Sequence, residues 1–127
     1  LIGVAEFAEA ESELAKAEAL DGPAKDLAML LHAQAILNQA FDENDRITDP
    51  GKLDVAAESY QAVVDAAQEP TLKGRAEAGL AAVANFKNKK DEVCTHATAA
   101  AELYETGGAS DYLKEVPSLL KQDAKCK

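Results

Sequence analysis

Two histidines, two cysteines and a run of aspartates are the side chains of this sequence with the most chemistry to offer, and their spacing decides what they can do. His32 falls on the apolar side of a helix-forming stretch, where a packed imidazole is a simpler reading than a metal ligand. His96 lies in a different part of the chain and cannot be tied to His32 by sequence. Cys94-Thr95-His96 sets a thiol two residues from an imidazole. On a helix such residues point about 200° apart, so no Cys–His catalytic couple forms between them. The tripeptide also lacks the second cysteine of a haem-attachment motif. Asp42, Asp45 and Asp49 gather carboxylates in one polar segment, as a calcium ion requires. An EF-hand loop counted from Asp42 needs glycine at its sixth place and an acid at its twelfth, and these places hold Ile47 and Leu53. The segment therefore reads as a solvated connection. No Gly-rich phosphate loop, Gly-x-Ser-x-Gly elbow or His-Glu-x-x-His helix is present. The expectation is a protein that is not an enzyme and carries no metal or cofactor.

Cys94 and Cys126 allow one disulfide at most. A C-terminal helix that folds back would bring them together, closing 33 residues counted with both ends. Such a bridge contributes about 3–4 kcal/mol in the chain-entropy model. Two free thiols, with Cys94 buried, is the equal alternative. Lys87-Asn88-Lys89-Lys90 resembles a basic patch, yet a helix end followed by a turn explains it locally. Positive charge opposes the exposed carbonyls of a helix C-terminus, and Asp91 and Glu92 then suit the N-terminus of the next helix.

The elements that would carry these residues follow from composition and punctuation. The 127 residues suit a single domain, 1–127. Apolar residues make up 47% of the chain, but 27 of them are alanine, so the core must be thin and closely packed. With 23 acidic against 13 basic residues the net charge is −10, which leaves no source for phosphate neutralisation and argues against nucleic acid. No apolar run approaches the ~20 residues that cross a bilayer, so direct membrane insertion is not expected. Leu1 in first place, with Met29 the sole methionine, fits removal of a leader and tilts the expectation toward a periplasmic or secreted location over a cytoplasmic one. Strand signals are nearly absent, and Ala, Leu, Glu, Lys and Gln dominate. Gly and Pro at 22–23, 50–51, 70, 107–108 and 117 cut the chain into segments of helical length. Six helices are expected near residues 4–20, 24–40, 52–67, 73–86, 90–106 and 110–123, with a loop at 41–50.

Internal comparison aligns these helices in pairs. Ala10-Leu14-Ala17, Ala56-Tyr60-Val63 and Val93-Ala97-Ala100 repeat one spacing of small and larger residues, each after a similar turn. Leu80-Ala81 with Ala84 matches His32-Ala33 with Ile36 in the helices between. The clearest copy runs from Gly74 to Gly107, where Leu80, Ala81, Ala84, Asp91, Glu92, Val93 and Ala100 carry the pattern. The arrangement resembles the tetratricopeptide repeat (TPR) family, a helix–turn–helix unit of about 34 residues. Asn88 stands where that family commonly has glycine. The resemblance implies an all-α fold, a short right-handed TPR-like α-solenoid: a half repeat at 1–22, a repeat at 26–70 with loop 41–50 inserted, a repeat at 74–107 and a cap helix at 110–123. A bundle of ordinary topology is the structural alternative.

The resemblance further implies a protein-binding module, an adaptor, scaffold or assembly factor. Its groove would be lined by first helices: Leu27, Leu30, Gln34, Leu37 and Asn38 of one, and Arg75, Ala78, Ala82, Asn85 and Phe86 of the other. This surface is mostly apolar or small. It suits an apolar or helical partner segment, the cap helix of a second copy included, better than a free acidic C-terminus. The competing possibility is that Leu27, Leu30 and Leu37 are consumed by packing. A structural accessory subunit of a larger complex and a small-ligand carrier with a closed apolar cavity are the rival functions.

Overall fold

The computed structural model describes residues 23–126. Within them lie five helices: α1 (Pro23–Asn38), α2 (Gly51–Ala66), α3 (Pro70–Phe86), α4 (Lys90–Gly107) and α5 (Asp111–Asp123). The fold of the described residues is all-helical. Its only extended pairing is one isolated bridge between Phe41 and Ile47 in the α1–α2 loop. The expected helix at 4–20, the half repeat at 1–22 and the Ala10-Leu14-Ala17 triplet lie outside the described residues.

Local chemistry sets the helix ends. Helix α3 begins at Pro70, three residues earlier than the spacing suggested. Proline is at home there, since its missing N–H would have no partner in a first turn. Ser110 caps α5 by accepting the Leu113 backbone N–H. Helices α3, α4 and α5 are each followed by a residue in the left-handed region: Asn88 at φ 59°, Gly108 at 65° and Lys125 at 56°. Backbone N–H groups just beyond fold back onto the helix, with Lys89 donating to the Ala84 carbonyl, Ala109 to Tyr104 and Cys126 to Lys121. Asn88 thus does the work of the glycine common at this turn, because asparagine tolerates the left-handed conformation better than most residues. Helix α5 runs through Pro117, whose ring is buried.

Helix α3 touches all four other helices. Helix α1 also packs on α2, and α4 on α5, whereas α2 and α4 make no contact with each other. The main core lies among α1, α2 and α3, built on Leu30, Ile36, Leu53, Tyr60, Val63, Leu72 and Leu80 with alanines between them. Two smaller clusters serve the C-terminal part: Ala78, Ala100 and Tyr104, and Ala84, Val93 and Ala124. The aligned triplets Ala56-Tyr60-Val63 and Val93-Ala97-Ala100 are buried throughout. In the other pair of helices Leu80, Ala81, Ala84, Ala33 and Ile36 are buried and His32 is half-buried.

Two glycines explain how so many neighbours fit around α3. A Cβ added to Gly79 would lie 2.4 Å from the Tyr60 ring, and one added to Gly74 would lie 2.6 Å from the Tyr104 ring. Each tyrosine therefore lies in a notch cut into the α3 surface. Gly79→Ala should destabilise the protein despite the roughly 1 kcal/mol that alanine gains in helix propensity, because the buried ring has nowhere to go. Gly51→Ala meets only an ordinary contact at 3.4 Å and serves as control. Ala56→Leu and Ala100→Leu, at positions with no exposed surface, should each cost about 1–3 kcal/mol. Thermal denaturation reads all four, and variants at 56, 79 and 100 that melt with the parent would refute this packing.

Candidate interaction surface

The ten residues expected to line a groove divide between core and surface. Leu30 is fully buried in the main core, and Leu37 packs against that core half-buried. Ala78 is buried against Ala100 and Tyr104. Leu30 and Ala78 are not available to a partner, and Leu37 is available only in part. The reason is helical phase: Leu30, Ala33 and Ile36 form the stripe that α1 turns inward, continued by Ala40 just past its end, so Leu27 and Leu31 fall outside it at 39% and 37% exposure. Gln34, Arg75 and Ala82 are half-buried, and Asn38 and Asn85 are exposed. Phe86 keeps 39% of its surface while its ring meets Phe41 edge-on at 4.8 Å. The accessible remainder is thus Leu27, Gln34, Asn38 and part of Leu37 on α1, and Arg75, Ala82, Asn85 and Phe86 on α3, two helices in mutual contact.

The chemically reactive side chains have structural partners. Cys94 is joined to Cys126, with Cα atoms 5.7 Å apart, so of the two alternatives the structure holds the bridge. The turn at Lys125 aims Cys126 back at α4. His96 Nδ1 donates to Glu77 Oε2 at 2.7 Å, linking α4 to the one charged residue buried among the described residues. The sequence reading missed Glu77, since an acid among alanines has no pattern of its own. Lys87, within the basic run, pairs with Asp54 at the start of α2 and thereby holds the end of α3. Its hydrogen bond, and secondly its charge, keep the Asp54 carboxyl below the usual carboxylate range. Asp42 turns its carboxylate onto its own loop and accepts the backbone N–H groups of Asn44 and Arg46. His32 borders a depression of about 390 Å³ between α1 and α2, with Lys25, Met29, Ser59 and Ala62.

Arg75 occupies a particular setting on α3. Burial pushes the Tyr60 phenol up to about 12 and raises the Tyr104 phenol as well, while the positive charge of Arg75 draws both back down. The sequence signal for this arrangement was the pair of glycines inside a helical segment, which marks a close approach. On α5, Tyr112, Val116 and Leu119 form a second feature unassigned from sequence, an exposed apolar stripe at spacings of four and three.

No family model, curated protein or solved structure matches this chain.

Two outcomes follow from these burials and links. A phenol whose folded pKa is raised contributes stability that is fully present below the unfolded value of 10.0 and is lost as pH rises toward 12. Alkaline unfolding should therefore set in across that interval. The chain has no tryptophan, so tyrosinate absorbance reads its three tyrosines alone. The Tyr60 step should fall near 12 or coincide with loss of helicity, and Tyr60→Phe should remove it; ionisation in the ordinary phenol range with helices intact would contradict the burial. Reduction of Cys94–Cys126 should lower stability by about 3–4 kcal/mol in the chain-entropy model. Urea titration of oxidised and reduced protein measures the difference.

Proposed function

We propose that this chain is a non-catalytic protein–protein interaction module, a short TPR-like α-solenoid serving as adaptor, scaffold or assembly factor. The observation that carries this reading is the pattern of neighbours. Helices α1, α3 and α5 touch in series, while α2 and α4 each pack beside them without touching one another. In a solenoid of stacked hairpins each unit meets only its neighbours. In this reading α1 with α2 and α3 with α4 are hairpins, and α5 is the cap. The burial of the equivalent triplets on α2 and α4 adds support. The partner is a protein or peptide segment that lies on α1 and α3, with Gln34 and Ala82 in the C-terminal half of each helix. Apolar contact comes from Leu27 and Phe86. The Cys94–Cys126 bridge suits an oxidising compartment, in keeping with a periplasmic or secreted location.

A structural accessory subunit is the second reading, and the α5 stripe favours it. Tyr112 is 77% exposed and Leu119 50%, as a face covered in a permanent complex would be when seen alone. Size in solution separates the two: a stable, well-behaved monomer supports the module, and an obligate oligomer supports the subunit.

Gln34→Glu and Ala82→Glu place charge on half-buried positions of the proposed surface. Together they should weaken capture of the native partner about tenfold, a step of 1.4 kcal/mol, with helicity and melting temperature nearly unchanged. Undiminished capture by a folded double variant would move the interface elsewhere.

A further inference from the structure

Arg75 is one of two arginines in a chain with 23 acidic residues, yet it makes no ion pair among the described residues. Its helix explains why. One turn to either side, α3 offers Thr71, Leu72, Ala78 and Gly79, none of them acidic. Glu77 is taken by His96, and Glu105, next to Tyr104, is taken by Lys114 at 3.2 Å.

What does flank Arg75 is a pair of phenols. Gly74 and Gly79 are five residues apart, hence about 140° around the helix, and Arg75 lies between them in angle. Tyr60 approaches Gly79 with its Cζ, the carbon that bears the hydroxyl, and Tyr104 lies along Gly74. The two rings come from helices that do not touch, so α3 alone sets their separation. Both residues are 2% exposed, but no side-chain oxygen among the described residues is both buried and without a hydrogen bond. Neither phenol hydroxyl makes a hydrogen bond there, so it is the two hydroxyl tips that reach the surface. Two O–H donors thus border the stretch of α3 that carries the Arg75 guanidinium, and none of the three has an acceptor of its own among the described residues.

We propose that Arg75, Tyr60 and Tyr104 form a binding site for a single carboxylate. A carboxylate has about four lone-pair positions, matched by two parallel N–H donors from the guanidinium and one O–H from each tyrosine. A phosphate dianion fits less well, because one cation faces the field of a chain with net charge −10. The inference rests on these three side chains and holds whether or not the helices are repeats. The carboxylate belongs either to a small free acid or to a partner peptide.

The test is NMR on the oxidised, full chain, which has only two arginines and three tyrosines to resolve. Sodium acetate is titrated at constant ionic strength against sodium chloride and inorganic phosphate. The Arg75 Nε–Hε signal and the Tyr60 and Tyr104 ring signals should follow one saturating curve with acetate, while Arg46 and Tyr112 do not. Tyr60→Phe and Tyr104→Phe keep the rings in their notches and should each weaken acetate at least threefold; Arg75→Lys keeps the charge, loses the fork and should weaken it about tenfold. A second arm compares N-acetyl-Ala-Leu-Ala as the free acid with its C-terminal amide. Tighter binding of the acid than of acetate supports a peptide-borne carboxylate, and equal binding supports a free small acid. Unsaturable shifts shared by Arg46, a chloride response equal to that of acetate, phosphate binding as tightly as acetate, amide binding as tightly as the acid, or phenylalanine variants that bind acetate like the parent would each overturn the proposal.

Discussion

Helix α3 has to touch four other helices along seventeen residues, and the rest of the structure depends on how it does so. Large side chains all round would hold the neighbours too far apart to reach one another's clusters. Instead α3 carries Leu72, Leu80 and Val83 toward the main core and glycine or alanine at half of its remaining positions. Bulk is supplied from outside, by Tyr60 and Tyr104, which fill the gaps left at Gly79 and Gly74. The alanine-rich composition is therefore a geometric requirement as much as a helix-forming one. It lets backbones approach closely and makes each contact sensitive to a single added methyl group.

A thin core leaves work for specific links. The main cluster binds α1, α2 and α3, whereas the clusters that hold α4 and α5 are built on a few alanines, one valine and one tyrosine. The polar and covalent links between helices concentrate at this weaker end. His96 and Glu77 join α4 to α3, Lys114 and Glu105 join α5 to α4, and Cys94–Cys126 ties the end of α5 to the start of α4. Lys87 with Asp54 extends the same strategy to the junction of α3 and α2. The exposed ion pairs add little each, so the half-buried histidine bond and the disulfide matter most.

Much of this was legible in the sequence, and the limits have physical causes. Helical segments between Gly and Pro could be read because alanine, leucine and charged residues leave no competing strand pattern. The start at Pro70 was displaced because a proline ends one reading and begins another equally well. The alternation of buried positions on α2 and α4 was visible in the aligned triplets, but Leu27 and Leu30 could not be separated. Three residues apart, both belong to one broad stripe, and only the direction of the neighbouring helices decides which is covered. The fate of the cysteines turned on a left-handed turn at Lys125, a residue with no propensity to announce it. Glu77, Arg75 and the two tyrosines needed three helices in place before their relation existed at all.

The bridge has a topological meaning beyond its energy. It closes a covalent ring whose perimeter includes most of α4, all of α5 and the exposed turn at Gly107 and Gly108 between them. Exposed small-residue turns are favoured sites of proteolytic nicking. A single cut there opens the ring without releasing anything, so the nicked protein stays one covalent particle, heavier by one water, and parts into two fragments only when a reductant is present.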